Sequence, residues 1–258
     1  MHDYTIRDAA LRNLRNMSSA DAVSFDGPTP GRVPPLARLW SLALFPVGLT
    51  TIYFGLVVLP ATRAFAIRMI GENYPVDLLT FFVFLLAGAQ GISLARKLSA
   101  VPNVPALPRI FYVLFAVLLL LIGMEEISWG QSFLHFETPQ SISQINTQQE
   151  FNVHNLRGMG GHTEYLRIAF GVGGLVGIAL ARWPRFSLIG VRPILGSWFL
   201  VIAFFAAADQ YYDLQGGNNT IGLAMDVMSE VIELLCAMSA SAYLWLNTRR
   251  LAPSRMRP

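Results

Sequence analysis

The chain has 258 residues, 53% of them hydrophobic and only 14% charged, with a mean hydropathy of +0.47. Soluble chains carry roughly 25% charged residues, so this deficit excludes a disordered protein and a water-covered globule. The net charge is +3, with arginines spread along the chain rather than gathered in a patch, which argues against nucleic acid as a partner. The single cysteine, Cys236, excludes an intramolecular disulfide and a cysteine-built metal cluster. An integral membrane protein remains.

Residues 1–35 read as a cytoplasmic N-terminal tail. They alternate Arg7, Arg12, Arg15 and Arg32 with Asp3, Asp8, Asp21 and Asp26, then run through Pro and Gly from Gly27 to Pro35, with no apolar core of a secretory signal. Residues 36–248 form the membrane domain, and 249–258 a second cytoplasmic tail. Within the domain six apolar runs approach the ~20 residues that cross a bilayer core: about 37–60, 75–95, 108–128, 165–183, 192–212 and 221–246. The expected fold is therefore all-α and polytopic, with six transmembrane helices in a cell membrane.

The nineteen Lys and Arg set the orientation. With the N-tail inside, only Arg63, Arg68, Arg157 and Arg167 fall on the outer side, a strong positive-inside bias. Trp40, Tyr112, Trp183 and Trp245 then mark one interface, and Tyr74, Trp129, Tyr211 and Tyr212 the other.

Twelve of the sixteen acidic residues lie on the outer side or within the membrane's depth. Glu72, Glu137 and Glu164 read as solvated loop charges. The others need partners, because a carboxylate at the bilayer centre costs roughly 2.5–3.5 kcal/mol even on the lenient insertion scale. In the sixth helix Asp226, Glu230 and Glu233 are spaced i, i+4, i+7, which places them within roughly 60° of one another in one acidic stripe. Glu125 and Glu126 close the third helix, about 100° apart, so they serve different purposes; Glu125 shares a face with Ser128 and Trp129, and Glu126 with Trp129. Asp209 and Asp213 close the fifth helix one turn apart. These three groups reach the same leaflet, where a cation or protons must neutralise them.

The long outer connection, 129–164, is polar and holds three of the four histidines, His135, His154 and His162. Glu150 and His154 are spaced to share one helical face, and the apolar residues around them suit a re-entrant or interfacial segment. A donor set of Asp, Glu and His without cysteine favours a divalent Zn, Fe or Mn ion, or Mg with several waters. Three readings stay open for the outer cluster: a metal-centred or acid/base catalytic site, an ion- or proton-coupled pathway, and a structural hydrogen-bond network. Gly173 and Gly177 in the fourth helix have the spacing that admits another helix closely, and Gln90 reads as an interhelical hydrogen-bond donor.

The stretch Glu125-Glu126-Ile127-Ser128-Trp129-Gly130-Gln131, followed by Phe136-Glu137-Thr138-Pro139 and Asn152-Val153-His154-Asn155, resembles a signature of poorly characterised bacterial polytopic membrane proteins. The resemblance implies no activity, only that these positions act as a unit.

The expected function is a membrane-embedded, metal-dependent, hydrolase-like enzyme acting on a lipid or lipid-linked substrate at the extracytoplasmic leaflet. Glu126, His154, Asp209 and Asp213 are the candidate metal ligands. Glu125, Glu230 and Glu233 are the candidate acid or base, with Ser128 beside Glu125. The alternatives are a proton- or cation-coupled carrier using the acidic stripe, and an accessory subunit. A homo-oligomer or a membrane partner subunit is compatible with each.

Overall fold

A computed structural model describes residues 36–70, 75–146, 151–152, 163–215 and 220–251. Among them the chain is helical without strands. The helices are α1 (Leu36–Val58), α2 (Pro60–Met69), α3 (Pro75–Ser99), α4 (Ala106–Glu126), α5 (Gln131–Leu134), α6 (Gln140–Ser143), α7 (Thr163–Leu180), α8 (Gly196–Leu214) and α9 (Thr220–Leu251). Five stretches are long and apolar enough to cross a membrane, within α1, α3, α4 and α7 and across Pro193–Leu214. The sixth expected helix, α9, is present but is not among those five. It carries Asp226, Glu230, Glu233, Arg249 and Arg250, and its walls are covered by protein rather than exposed.

Helix α9 is the axis of the molecule. It packs against α1, α3, α7 and α8, while α4 leans on α3 and α7 on α8. Small residues allow these close pairings, as expected where apolar solvent provides no drive to associate. A Cβ on Gly91 would lie 2.8 Å from that of Ala116, holding α3 to α4. On α7, a Cβ at Gly171 would come within 2.9 Å of backbone atoms of Ala203 and Phe199, and one at Gly174 would enter the Phe199 ring. The Gly173/Gly177 pair is therefore not the α8 contact as spaced: Gly177 abuts Val191, whereas nothing lies within 4 Å of a Cβ at Gly173.

Pro46 explains how α1 is fastened. Lacking an N–H, it leaves the carbonyl of Leu42, four residues earlier, without its helical donor. The indole Nε1 of Trp198 donates to that oxygen at 2.9 Å, and the Ser197 hydroxyl to the carbonyl of Ala43 at 2.6 Å. Trp198 also stacks on Phe45, with ring centroids 5.3 Å apart. Trp198→Phe is expected to destabilise the protein by about 1–3 kcal/mol, the cost of an unsatisfied polar group. That cost should shrink in a Pro46→Ala background, where a restored N–H can reach Leu42; equal costs in both backgrounds, measured by thermal unfolding in detergent, would refute the linkage.

The first span ends at Val58, and Pro60 at the first position of α2 redirects the chain. Arg63 donates to the carbonyls of Val57 and Val58 at 2.9 and 3.0 Å, placing positive charge at a helix C-terminus. This helix occupies a stretch that the hydropathy pattern leaves as a loop. At the opposite end of the bundle, Tyr112 is not an interfacial residue but is fully buried. Its hydroxyl donates to Leu188 O at 2.7 Å and accepts from Asn247 Nδ2 at 3.0 Å, and Tyr243 donates to Ile189 O at 2.7 Å. The aromatics Trp40, Trp183, Trp245 and Tyr211 are exposed. Gln90 makes an interhelical bond, but accepts it, from the Ser241 hydroxyl at 3.2 Å.

Because α4 packs on α3 and α7 on α8, and α9 meets both α3 and α8, the two helix pairs flank α9. A cleft opens between α4 and α7. It contains two cavities, of about 300 and 330 Å3, which share Phe170 as a wall. One is apolar. The other, at the end where α4 stops and α7 starts, contains the charged residues.

Candidate functional site

Helix α4 ends at Glu126 because the next residues abandon right-handed geometry. Ser128, Trp129 and Gly130 have φ of 45°, 56° and 80°, three successive left-handed residues of which two are not glycine. Such conformations cost of order 1–3 kcal/mol each and persist only when the surroundings enforce them. The enforcing contacts come from the long connection that follows α4. Asn152 Nδ2 donates to Ser128 Oγ at 3.0 Å, and Asn146 Nδ2 donates to Asn152 Oδ1 at 2.9 Å. Gln131 accepts from the Phe151 N–H and donates to Thr138 Oγ1, both at 2.8 Å. Residues of Glu125–Gln131, Thr138 and Asn152 thus form one hydrogen-bonded unit, in which Ser128 is buried inside the turn.

The tight turn aims the two glutamates apart. Trp129 Nε1 donates to Glu125 Oε1 at 2.6 Å. Glu126 instead faces α9, where Glu233, Glu230 and Asp77 are the carboxylates that act on it. Glu125, Glu126 and Glu233 all line the 330 Å3 cavity, together with Thr163, Arg167 and Cys236. Its remaining walls are Phe84, Leu121, Ile122, Leu166 and Phe170. Leu121 and Leu166 are 46% and 66% exposed, so the cavity opens sideways between two apolar helix faces.

Arg167 is the cation of this site. It lies in the first turns of α7, inside the expected fourth span, and is buried. Its Nη2 donates to Glu164 Oε1 at 2.8 Å and to Thr163 Oγ1 at 3.0 Å, and its Nη1 is 3.6 Å from Glu233 Oε1. Nε and Nη1 have no hydrogen-bond partner among the described residues. Glu164 is likewise buried, not a solvated loop charge, because it is the arginine's partner one helical turn away. Sequence reasoning missed Arg167, Glu164 and Asp77 as site residues. The available signal was an arginine within an apolar run, where an ionisable residue is functional by default.

The acidic stripe of α9 serves two neighbourhoods. Glu230 and Glu233 join Glu126 and Asp77. Asp226, one turn earlier, joins Asp209 and Asp213 of α8, and one carboxylate oxygen from each of the three lies within 4.8 Å of the others. Asp209 is buried, whereas Asp213 and Asp226 are exposed. This trio could hold a divalent cation with added waters; oxygen-only donors suit Mg or Mn better than Zn. Arg167 is close enough to interact with Asp209 and so stands between the two groups. Of the expected ligands, Asp209 and Asp213 come together with Asp226, and Glu126 belongs to the neighbouring carboxyl pair. His154, Glu150 and His162 lie outside the described residues. His135 ends α5 with a left-handed φ of 53° and is exposed.

The long connection has short helices α5 and α6 in its described part, and no re-entrant helix appears among the described residues. No protein-family model, no curated protein and no solved structure matches this chain.

Proposed function

We propose that this chain is a membrane-embedded, hydrolase-like enzyme that acts on a lipid or lipid-linked substrate. One observation carries the reading. Two neighbouring carboxyl groups, Glu126 and Glu233, share a laterally open cavity with a buried arginine that has spare donors. Two carboxyls side by side in an apolar cavity disfavour double ionisation, and such a pair can give a proton to a leaving group or take one from water. Arg167 offers N–H groups to an oxygen that gains negative charge during reaction. The apolar rim admits a substrate from the bilayer rather than from water.

In this reading α9 is the sixth span, both tails are cytoplasmic, and the site opens to the extracytoplasmic leaflet of the cell membrane. Asp209, Asp213 and Asp226 hold a divalent cation, Mn or Mg by their donor type. A cation there would supply an activated water. The acid and base are Glu126, Glu233 and Glu230, with Glu125 oriented by Trp129.

The test is metal analysis and lipid turnover on the purified protein. Near-stoichiometric Mn or Mg should be retained or rebound, should be lost in an Asp209→Asn/Asp213→Asn variant, and phospholipid cleavage in mixed micelles should disappear with it. The carrier alternative is favoured by the run Asp77–Glu230–Glu233–Glu126, which could relay protons. Proteoliposomes that conduct protons in a Glu230-dependent way, without lipid cleavage, would overturn the enzyme reading in its favour.

A further inference from the structure

Lipid tails will touch any apolar helix face in a bilayer, so an apolar cleft alone has no meaning. What distinguishes the cleft between α4 and α7 is its charged end and its length. From Phe111, at the apolar end, to Glu125 is fourteen residues along α4, roughly 21 Å at 1.5 Å per residue. That is more than half of the ~30 Å hydrocarbon core, so the slot is long enough to take an extended chain rather than a small solute. Phe111, Phe115 and Phe170 form its sides, Ala240 its floor, and Gly173 leaves room in its wall.

The charged end reads as a recognition site of mixed sign. Three carboxyls, Glu125, Glu126 and Glu233, line the cavity against one arginine, and that arginine already shares its charge with Glu164. The excess is negative and calls for a cationic group. Arg167 is nonetheless only 9% exposed at its side chain, and its Nε and Nη1 lack hydrogen-bond partners among the described residues. A buried donor without an acceptor is costly, which calls for an acceptor oxygen next to the cation. Resting on the reading of this site as lipid-acting, we propose that the cleft binds an aminophospholipid. Its primary ammonium sits among Glu125, Glu126 and Glu233, its phosphate oxygens accept from Arg167, and one acyl tail lies along the groove past Phe170 and Gly173.

Native mass spectrometry of delipidated protein in nonionic detergent tests this. The probes are phosphatidylethanolamine, phosphatidylcholine and phosphatidylglycerol with identical acyl chains. Phosphatidylethanolamine should form a one-to-one adduct about tenfold more tightly than the other two, the factor that one charge-assisted hydrogen bond provides. Glu126→Gln should erode that preference. Gly173→Phe should abolish the adduct while leaving elution and melting unchanged, since nothing lies within 4 Å of its Cβ; Gly173→Leu serves as a smaller plug should the ring disturb packing. An adduct that persists in both plugged variants overturns the groove. Equal binding of the three lipids, or preference for phosphatidylglycerol, overturns the headgroup assignment. Selective binding without turnover would retain this inference and remove the enzyme reading; turnover without selective binding would do the reverse.

Discussion

Arg167→Met is expected to cost about 3–5 kcal/mol of stability, the penalty for removing one member of a buried ion pair. The arginine and Glu164 have side chains only 9% and 8% exposed, with 2.8 Å between Nη2 and Oε1. Without the guanidinium, Glu164 keeps only the Thr163 hydroxyl, at 3.1 Å, among the described residues, and Glu126 and Glu233 lose the cation beside them. Much of the loss is the stranded carboxylate rather than the worth of the bond. Adding Glu164→Gln to Arg167→Met should therefore recover part of it, a non-additivity characteristic of contacting residues. Arg167→Lys should rescue poorly, because an ammonium cannot reproduce the planar fork that reaches Glu164, Thr163 and Glu233 together. The measurement is the heat- or denaturant-induced loss of the monodisperse species in detergent. A loss below about 1 kcal/mol, typical of exposed pairs, would show that Arg167 does not hold this site together.

Glu233→Gln should lower phospholipid turnover by about 10²–10⁴-fold, the usual contribution of a positioned acid or base, equivalent to about 2.7–5.5 kcal/mol at 1.36 kcal/mol per tenfold. The amide is isosteric, so folding should be retained, and any weakening of lipid binding should be small beside the loss of rate. What disappears is a carboxyl that can give or take a proton at this position. Glu125→Gln should cost less, since Glu125 accepts from Trp129 at 2.6 Å, a bond that an amide oxygen can also accept. Single-turnover measurement in mixed micelles separates these cases by comparing the rate at saturation with the lipid concentration at half-saturation. Equal losses in the two variants would remove Glu233's special role.

The positions of the spans were legible because hydropathy acts locally: a helix in hydrocarbon must satisfy its own backbone and present apolar side chains over a fixed length. The expected runs 75–95 and 108–128 correspond to Pro75–Ser99 and Ala106–Glu126 within a few residues. The helix Pro60–Met69 escaped because Arg63 and Arg68 interrupt its apolar residues, and what holds it is a cap on the carbonyls of the preceding span. The acidic stripe was legible too, since i, i+4, i+7 is a property of any helix.

How that stripe divides was not legible. Nothing in the order of residues says that Asp226 goes to Asp209 and Asp213 while Glu233 goes to Glu126 and Arg167. That depends on which face of α9 meets α4, α7 and α8, which is set by glycines and phenylalanines far from the acids. The burial of Glu164 and Arg167, the exposure of Gly173, and the use of Pro46's orphaned carbonyl by Trp198 are likewise consequences of helix placement. Residue order alone establishes a chain of apolar helices that carries more acids than lipid tolerates unaided. Only the tertiary structure decided which acids become partners, because that choice is made by helix rotations and separations of a few ångströms, and these arise from packing between segments distant along the chain.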